Sequence, residues 1–318
     1  MMKKQFIRDI QAGDVLADCF VLTEKTMAQK KNGDNYLNLL LSDRTGSLKG
    51  VVWDNVEKIS SLSQAGAVVA VKGHVGEYRG NLQAVVKEMT LVSPDETDPS
   101  DFMLSTERDV DQMFERIVVL SESLDAWYLK ALFTAFWEDA SFATQFKRAP
   151  AAKNMHHAYI GGLLEHTLSM AVLADKIAEH YKGIDRDLLV SGALLHDIGK
   201  VREFNYEMGI DYSNEGRLVN HIVIGIQMLE EKIQTIASFP DEPALLLKHM
   251  VISHHGSKEL GSPEPPKTIE AVMLNCIDEM DSRIQAVREF LGKEDPGETW
   301  TSFHRLLGRH FYQGKPEI

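Results

Sequence analysis

Residues 93–101, SPDETDPSD, divide the chain into two segments with different secondary-structure patterns. Two prolines and four acidic residues in nine positions disfavour both a helix and a buried strand. A chain of 318 residues is also longer than one hydrophobic core usually organises. We therefore predict two domains, at 1–92 and 106–318, joined by a linker at 93–105.

The first segment is predicted to be a small β-barrel. It contains about five short, β-rich apolar runs bounded by glycine or polar turn residues. The runs span residues 20–22, 36–41, 48–53, 67–73 and 82–86. Residues 54–66 leave room for one short helix. Five strands with one helix describe the OB-fold, a small Greek-key barrel.

The second segment changes to a helical period. Apolar residues recur three and four positions apart through 110–118 and 129–136, and again in four later stretches. These stretches span residues 163–181, 187–196, 222–233 and 269–290. The fold class predicted for the whole chain is therefore multidomain, an all-β OB-fold barrel followed by an all-α domain.

Charge is distributed unevenly between the two segments. The net charge is −13, yet residues 1–92 carry 12 Lys+Arg against 10 Asp+Glu, which leaves 22 against 37 for the remainder. A near-neutral first segment could contact a polyanion, whereas an acidic second segment is suited to metal binding or solvation.

The composition also indicates the cellular compartment. The sequence has no apolar run of 18 residues and no apolar stretch near its N-terminus, so we predict neither a membrane partner nor a secretory signal. Cys19 and Cys276 are far apart and form no CxxC motif. They fit reduced, buried thiols, which are typical of a cytoplasmic protein.

Histidines are concentrated in the second segment, where eleven of twelve lie at or after position 156. An ordered series of histidines and aspartates predicts a metal site; it comprises His166, His196-Asp197, His221, His254-His255 and Asp278. A lone histidine is more often structural, and that interpretation applies to His74, His180, His249, His304 and His310. Imidazole with carboxylate suits Mn²⁺, Fe²⁺, Co²⁺ or Zn²⁺ better than Ca²⁺.

The dipeptide His196-Asp197 needs a helix end to hold one ion. Neighbours on a helix point about 100° apart, and Gly199 is predicted to end the helix here. His166 and Asp278 would complete the first shell, and His221 with His254 or His255 could hold a second ion. Two such ions clamp a phosphate and activate a water. Mn²⁺ is favoured, with Co²⁺, Fe²⁺, Mg²⁺ and Zn²⁺ left open.

This series resembles the signature of the HD superfamily of metal-dependent phosphohydrolases. The best-matched stretches are 161–167 and 196–200. HD enzymes with three metals carry a glutamate one turn before the first histidine, where this chain has Gly162. The resemblance therefore implies two ions rather than three.

An OB-like domain followed by an HD domain is similar to the YhaM-type 3′-to-5′ exoribonucleases. The similarity spans residues 14–283 and is carried by the domain order and by local motifs. Those motifs are Lys31-Asn32-Gly33, Tyr36, Asp43-Arg44-Thr45-Gly46, Trp53 and His156-His157-Ala158-Tyr159.

The resemblance implies a metal-dependent 3′-to-5′ exonuclease that hydrolyses single-stranded RNA to nucleoside 5′-monophosphates, with single-stranded DNA left open. Asp197 is expected at the ions, and Lys200 beside the phosphate unless it is a solvated lysine. His156 and His157 could donate to the substrate or to the leaving 3′-oxygen, with loop packing as the alternative.

Aromatic and basic residues of the predicted barrel could hold a single strand. The stacking candidates are Tyr36, Trp53 and Tyr78, and the candidate cations are Arg44, Lys49 and Arg79. Tyr36 or Trp53 could instead face the barrel core. Lys49 and Trp53 have the same parity, which predicts one sheet face for both.

Two other functions remain open from the sequence. One is an HD phosphohydrolase acting on a small nucleotide, a cyclic dinucleotide or a nucleoside triphosphate. The other is a nucleic-acid-binding protein whose metal domain is inactive, which the complete ligand series disfavours. The oligomeric state is also open, a homo-oligomer included.

Overall fold

The computed structural model describes residues 3–30, 33–62, 64–78, 80–93, 96–98, 101–153, 157–206, 209–292, 294–295, 297–305 and 307–314. Lys31, Asn32, Arg79 and His156, named above, lie outside these residues. The chain forms two compact units, one of residues 1–105 with 205–211 and one of residues 106–204 with 212–318. Within the described residues, each helix is too short or too polar to cross a bilayer.

The first unit contains five strands and one helix. These are β1 (Val15–Gln29), β2 (Asn35–Asp43), β3 (Gly46–Val52), α1 (Val56–Leu62), β4 (Val68–Tyr78) and β5 (Asn81–Leu91). The strands close into a barrel in the order β1-β2-β3-β5-β4, with β3 and β5 parallel. Strand β1 closes the ring because its second half pairs with β2 and its first half with β4. The predicted OB-fold barrel is confirmed.

Strand β1 is much longer than the run at 20–22 from which it was predicted. Phe20 and Leu22 face the barrel core, whereas Cys19 and Val21 pack on the other side in a cluster that includes Phe102. Burial on both faces removes the alternation that marks a half-buried strand. Phe102, from the predicted linker, is thus part of the barrel packing.

The second unit is helical, and a short two-stranded sheet lies where residues 205–211 leave it. Its helices are α2 (Val110–Glu122), α3 (Trp127–Trp137), α4 (Ala140–Arg148), α5 (Gly162–His180), α6 (Arg186–Leu195), α7 (Lys200–Glu203), α8 (Asn214–Val219), α9 (His221–Gln234), α10 (Asp241–Ser253) and α11 (Ile269–Leu291). The sheet pairs β6 (Phe204–Asn205) with β7 (Asp211–Tyr212). Helices α4, α7, α8 and α10 were not among the helical stretches predicted from the sequence.

Helix α6 lies at the centre of this unit. Each residue from Leu188 to Leu195 is buried, and Asp185 caps the helix by accepting from the backbone N–H of Leu188. An all-round apolar helix is expected where other helices cover it on every side. Its C-terminal end therefore delivers residues 196 and 197 into the interior.

The two cysteines differ in environment. Cys19 is buried as predicted, but Cys276 is exposed, so that prediction was wrong. The buried face of α11 is formed by residues such as Leu274 and Ile277. Residue 276 points away from that face because it is two positions from Leu274 on a helix of 3.6 residues per turn.

Candidate metal centre

A tight turn between α6 and α7 presents the dipeptide His196-Asp197. Helix α6 ends at Leu195, four residues before Gly199, and Gly199 has a φ of −64°, so the prediction that Gly199 ends the helix was wrong. A Cβ at Gly199 would instead lie 2.0 Å from the carbonyl oxygen of His221. Glycine is needed here because α9 begins against the turn. This close approach brings His221 to the dipeptide.

Four predicted ligand atoms converge on one point. The Nε2 of His166 lies 3.2 Å from the Nε2 of His196 and 3.4 Å from Oδ1 of Asp278. Oδ2 of Asp197 lies 3.3 Å from the Nε2 of His196 and 3.7 Å from that of His166. Ligands about 2.1 Å from one ion are separated by roughly 3–3.5 Å. The spacing fits a single metal ion, and we call these four residues the first cluster.

The other oxygen of Asp197 faces a second group of histidines. Oδ1 of Asp197 lies 3.7 Å from the Nε2 of His221 and 3.6 Å from the Nε2 of His254. His221, His254 and His255 offer ligand atoms within 4.8 Å of one another. We call these three histidines the second cluster. Asp197 is therefore placed between the two clusters, with one oxygen toward each.

The second cluster and the oxygen of Asp197 that faces it contain buried polar atoms that the described part of the chain leaves without hydrogen bonds. They are Oδ1 of Asp197, Nε2 of His221, Nε2 of His254 and Nδ1 of His255. Buried polar atoms are nearly always paired, so four such atoms at one place require an explanation. A divalent ion satisfies all four, because each is a lone-pair donor of the type that such an ion prefers.

Hydrogen bonds fix the tautomers of two of these histidines. Nδ1 of His196 donates to the carbonyl of Ala193 at 2.9 Å, and Nδ1 of His254 donates to that of Val251 at 2.7 Å. Each Nε2 is then the ring nitrogen that faces the clusters and can ligate. Burial and the neighbouring His255 hold the pKa of His254 well below its usual value, so its ring is neutral.

Glu203 supports the second cluster and was not predicted from sequence. Its carboxylate accepts from Nδ1 of His221 at 3.0 Å and from the backbone N–H of His221 at 3.1 Å. It is buried on α7, six residues after Asp197. Its only signal in the sequence is its position just after the dyad, which does not distinguish it from a surface glutamate.

Asp281 supports the first cluster and was also missed. It accepts from Nδ1 of His166 at 2.8 Å and from the hydroxyl of Ser169. It lies one turn after Asp278 on α11, so both carboxylates share a helix face. That spacing was a usable signal. Burial opposes ionisation of Asp281, but its contacts with His157, His166 and Ser169 lower its pKa.

Lys200 lies beside the clusters. Its Nζ is 2.6 Å from Oδ2 of Asp197, and its side chain is mostly buried. Burial alone would lower the pKa of Lys200, but the carboxylates of Asp197 and Asp278 outweigh it and raise the pKa. The alternative of a solvated lysine is wrong.

An open cleft gives access to the centre. Its volume is ≈ 620 Å³, within the range of small-ligand pockets. It is lined by Ala151, His166, Lys200, His255, Gly256, Ser257, Leu260, Asn275, Asp278, Glu279 and Ser282. First-cluster and second-cluster residues both reach this surface.

His157, Gly162 and Glu165, which precede His166, are not among the residues that line the cleft. His157 is buried, its Nδ1 is 2.7 Å from the hydroxyl of Tyr159, and its Nε2 is 3.5 Å from Asp281. These contacts favour the packing alternative for His157. A Cβ at Gly162 would lie 2.1 Å from the carbonyl oxygen of His157, so this backbone has no room for a third-ion glutamate. Glu165 accepts from Thr106 and Tyr159 instead.

On the barrel, Tyr36 and Trp53 form a stacked pair. Their ring centroids are 5.0 Å apart with an interplanar angle of 26°, and Trp53 is 41% exposed. Nζ of Lys30 lies 5.2 Å from the Trp53 ring centroid. The exposure of Trp53 excludes the alternative of a core position for it. We call Tyr36 and Trp53 the aromatic pair, and Lys30 is its lysine.

Tyr78 and Lys49 share a second surface of the barrel. Both line a groove of ≈ 210 Å³ together with Asn81, Leu82 and Gln83. Arg44 lies elsewhere, with its guanidinium 4.5 Å from the ring centroid of Phe6. The register of β2 and β3 puts Arg44 at the turn and Trp53 at the opposite end of that hairpin.

Comparison with known proteins supports both units. A family model described as HD domain matches residues 163–283, and one described as OB-fold nucleic acid binding domain matches residues 21–92. A third model, TraI_2, named for a helicase, matches residues 96–182. The 3′-5′ exoribonuclease YhaM of Halalkalibacterium halodurans is 31% identical over 304 residues, covering 95% of this chain and 94% of that protein.

Two of the solved structures that match cover the barrel. The second OB-fold domain of replication protein A from Methanococcus maripaludis is 20% identical and covers 29% of this chain and 96% of its own, with a TM-score of 0.24. A mitochondrial single-stranded DNA binding protein from S. cerevisiae is 16% identical and covers 26% of this chain and 97% of its own, with a TM-score of 0.23.

Proposed function

The chain belongs to the family of the 3′-5′ exoribonuclease YhaM, and from this premise we propose that its HD domain hydrolyses single-stranded RNA in a metal-dependent reaction. It would act from the 3′ end and release nucleoside 5′-monophosphates. Single-stranded DNA is a second substrate in this proposal. Mn²⁺ is the favoured ion, with Co²⁺, Fe²⁺, Mg²⁺ and Zn²⁺ as the other candidates.

The position of Asp197 between the two clusters carries this proposal. Its two oxygens face separate sets of ligand atoms, at 3.3 and 3.7 Å on one side and 3.6 and 3.7 Å on the other. The first cluster would hold one ion and the second cluster another. When bound, a pair of divalent ions polarises a phosphodiester and lowers the pKa of a water molecule.

The side chains around the clusters supply positioning and charge. Lys200 lines the cleft as a cation, so it would contact a phosphoryl oxygen and stabilise the charge that develops there. Asp281 and Glu203 orient His166 and His221 through their Nδ1 atoms. We assign His157 a positioning role through Asp281, not proton donation to the leaving group.

The barrel would hold the strand away from the reacting phosphate. The aromatic pair and its lysine offer an exposed ring beside a cation, the combination that binds unpaired bases. Tyr78 and Lys49 offer a similar combination in their groove. Arg44 would contact phosphate only at a separate position along the strand.

One assay tests the proposed function. RNA oligomers labelled at the 5′ end are incubated with the protein and Mn²⁺, alongside a 3′-phosphate-blocked oligomer and a panel of mononucleotides and cyclic dinucleotides. A ladder that shortens from the 3′ end, with mononucleotides as the products, is the expected result. Turnover of the small nucleotides without shortening of RNA would refute the proposal in favour of the phosphohydrolase.

Metal loading is expected to release protons. Burial lowers the pKa of His166, but hydrogen bonds with Asp278 and Asp281 outweigh this and raise it to about 9. Below about pH 9 the metal must displace a proton from His166. Metal affinity therefore rises with pH and levels off near pH 9. Titration calorimetry at pH 7.5 in two buffers of different ionisation enthalpy measures the release. A heat that does not depend on the buffer would contradict this assignment.

Removing the exposed indole of Trp53 is expected to weaken RNA binding modestly. A stacked base is worth about 1–3 kcal/mol, and Trp53→Ala should fall near the lower limit because Tyr36 remains as a platform. Fluorescence anisotropy with a metal-free protein measures the affinity. Trp127→Ala, which removes an exposed indole from the helical unit, is the control. Equal losses in both variants would exclude a stacking role.

A further inference from the structure

The last described segment folds into a hairpin of its own, which we call the C-terminal hairpin (residues 299–305 and 307–313). Thr301 donates its backbone N–H to the carbonyl of Phe311, and His304 donates to that of Arg309. Isolated bridges join Trp300 to Tyr312 and His304 to Arg309. The two arms of the segment therefore pair with each other and form a hairpin with two faces.

The hairpin is attached to the end of α11. The ring centroid of Phe290 lies 4.6 Å from His304 and 6.3 Å from Phe311. Glu294 accepts from the backbone N–H and the hydroxyl of Ser302. Phe290 is twelve residues after Asp278 on the same helix, a rise of about 18 Å. The hairpin is therefore carried by the helix that also carries part of the first cluster.

Its outer side is aromatic. Trp300 and Tyr312 form an edge-to-face pair at 5.2 Å and are 57% and 58% exposed. Phe303 is also exposed and contacts the exposed His310 at 5.3 Å. Apolar rings on a small hairpin normally turn inward to build its core. Here Phe311 and His304 do so, while the larger rings remain outside.

The same segment is basic within an acidic region. Residues 299–314 contain two arginines, two histidines and no acidic residue, whereas the chain as a whole has a net charge of −13. Arg305 and Arg309 are both exposed. Exposed rings interspersed with cations complement a polyanion with stacking bases rather than an acidic or apolar protein surface.

We propose that the C-terminal hairpin binds single-stranded RNA upstream of the nucleotide being cleaved. This proposal rests on the proposed function. Trp300 and Tyr312 stack on bases, and Arg305 and Arg309 neutralise phosphates. The site is additional to the barrel surfaces and lies in the helical domain, so a strand too short to reach it gains nothing from it.

The test uses the full chain and two double variants, Trp300→Ala/Tyr312→Ala and Arg305→Ala/Arg309→Ala. Affinity for a 15-nucleotide RNA is measured without metal over a range of salt concentrations. The aromatic variant should bind about fivefold more weakly or worse. The arginine variant should reduce the slope of log K against log salt by about 1.4, at about 0.7 per phosphate. Trp127→Ala, whose indole is equally exposed at 57%, should bind as the wild type does.

A second measurement separates binding from folding. Hydrolysis of bis(p-nitrophenyl) phosphate, which cannot reach the hairpin, should be unchanged in both double variants. If it falls together with RNA affinity, the hairpin acts through the structure of α11 and the proposal is overturned. Unchanged RNA affinity in both variants also overturns it, as does a change in oligomeric state alone, which would assign the surface to self-association.

The failure of this proposal is distinguishable from failure of the proposed function. If the wild type binds and shortens RNA while the variants match it, only the hairpin assignment is lost. If the wild type neither binds nor shortens RNA, both are lost. Crosslinking of 5-iodouridine-substituted RNA to Trp300 or Tyr312 in the wild type would give positive support that does not depend on substitution.

Discussion

Replacing Asp197 with alanine is expected to abolish RNA hydrolysis and to remove both ions from the centre. Each carboxylate oxygen faces one cluster, so a single substitution deletes a ligand from both. Loss of several kcal/mol of transition-state stabilisation corresponds to about a 1,000-fold decrease in rate or more. Rates on 5′-labelled RNA and metal content by mass spectrometry measure the two effects.

Two further variants make the Asp197 result specific. Asp197→Asn keeps the shape and loses the charge, so it should retain the fold and still lose most of its activity. Glu279→Gln is the matched control, because Glu279 lines the same cleft but pairs with Arg283. It should keep its metal and its rate. Full activity in Asp197→Ala would disprove the two-ion centre.

The ligand series could be predicted because its members sit in recognisable local contexts. His196-Asp197 and His254-His255 are adjacent pairs at helix ends. The helix before His196 is identifiable from its apolar period, whereas α10 before His254 was not predicted. The structure brings every predicted ligand into one of the two clusters. A motif of this kind encodes its own geometry because helix ends and close turns fix where side chains point.

The supporting residues could not be predicted in the same way. Glu203 and Asp281 act through hydrogen bonds to histidines that are distant in sequence. Glu203 has no local mark of such a role, whereas the spacing of Asp281 one turn after Asp278 was a signal that the prediction did not use. Gly199 was predicted to end the helix, but glycine is needed there for a different reason. Its requirement comes from the approach of His221, twenty-two residues later, which only tertiary packing creates.

On the barrel, the alternation of residues along a strand predicted which side chains face outward. The sequence did not predict where along the hairpin those side chains lie. Lys49 and Trp53 both turn outward, as their shared parity predicts, while Leu48 and Val52 pack in the core. Of the predicted cations that the structure describes, Arg44 and Lys49 do not share one rim. Arg44 is at the β2–β3 turn and is separated from Trp53 by the length of the hairpin, because register determines which residues face each other across strands.

Glu203→Ala is expected to weaken the second ion selectively. Glu203 holds the ring of His221 through Nδ1 and its backbone N–H, so its loss frees both the tautomer and the orientation of that ligand. Removal of such a supporting carboxylate typically costs 10- to 100-fold in metal affinity or activity. We expect that loss for one of the two ions, with the other close to its wild-type affinity. Calorimetric titration with Mn²⁺ resolves the two sites.

The matched variant is Asp281→Asn, which acts on His166 and should weaken the other ion instead. Glu203→Gln should be milder than Glu203→Ala, since an amide oxygen still accepts from Nδ1 of His221. Glu215→Gln, at a half-exposed glutamate that pairs with Arg202, should leave both ions in place. Because both ions would share Asp197, weaker binding of one ion should reduce the rate of hydrolysis as strongly as it reduces the occupancy of that ion. If Glu203→Ala and Asp281→Asn instead weaken one and the same Mn²⁺-binding event, the two clusters form one site. The placement of Asp197 between two ions is then wrong.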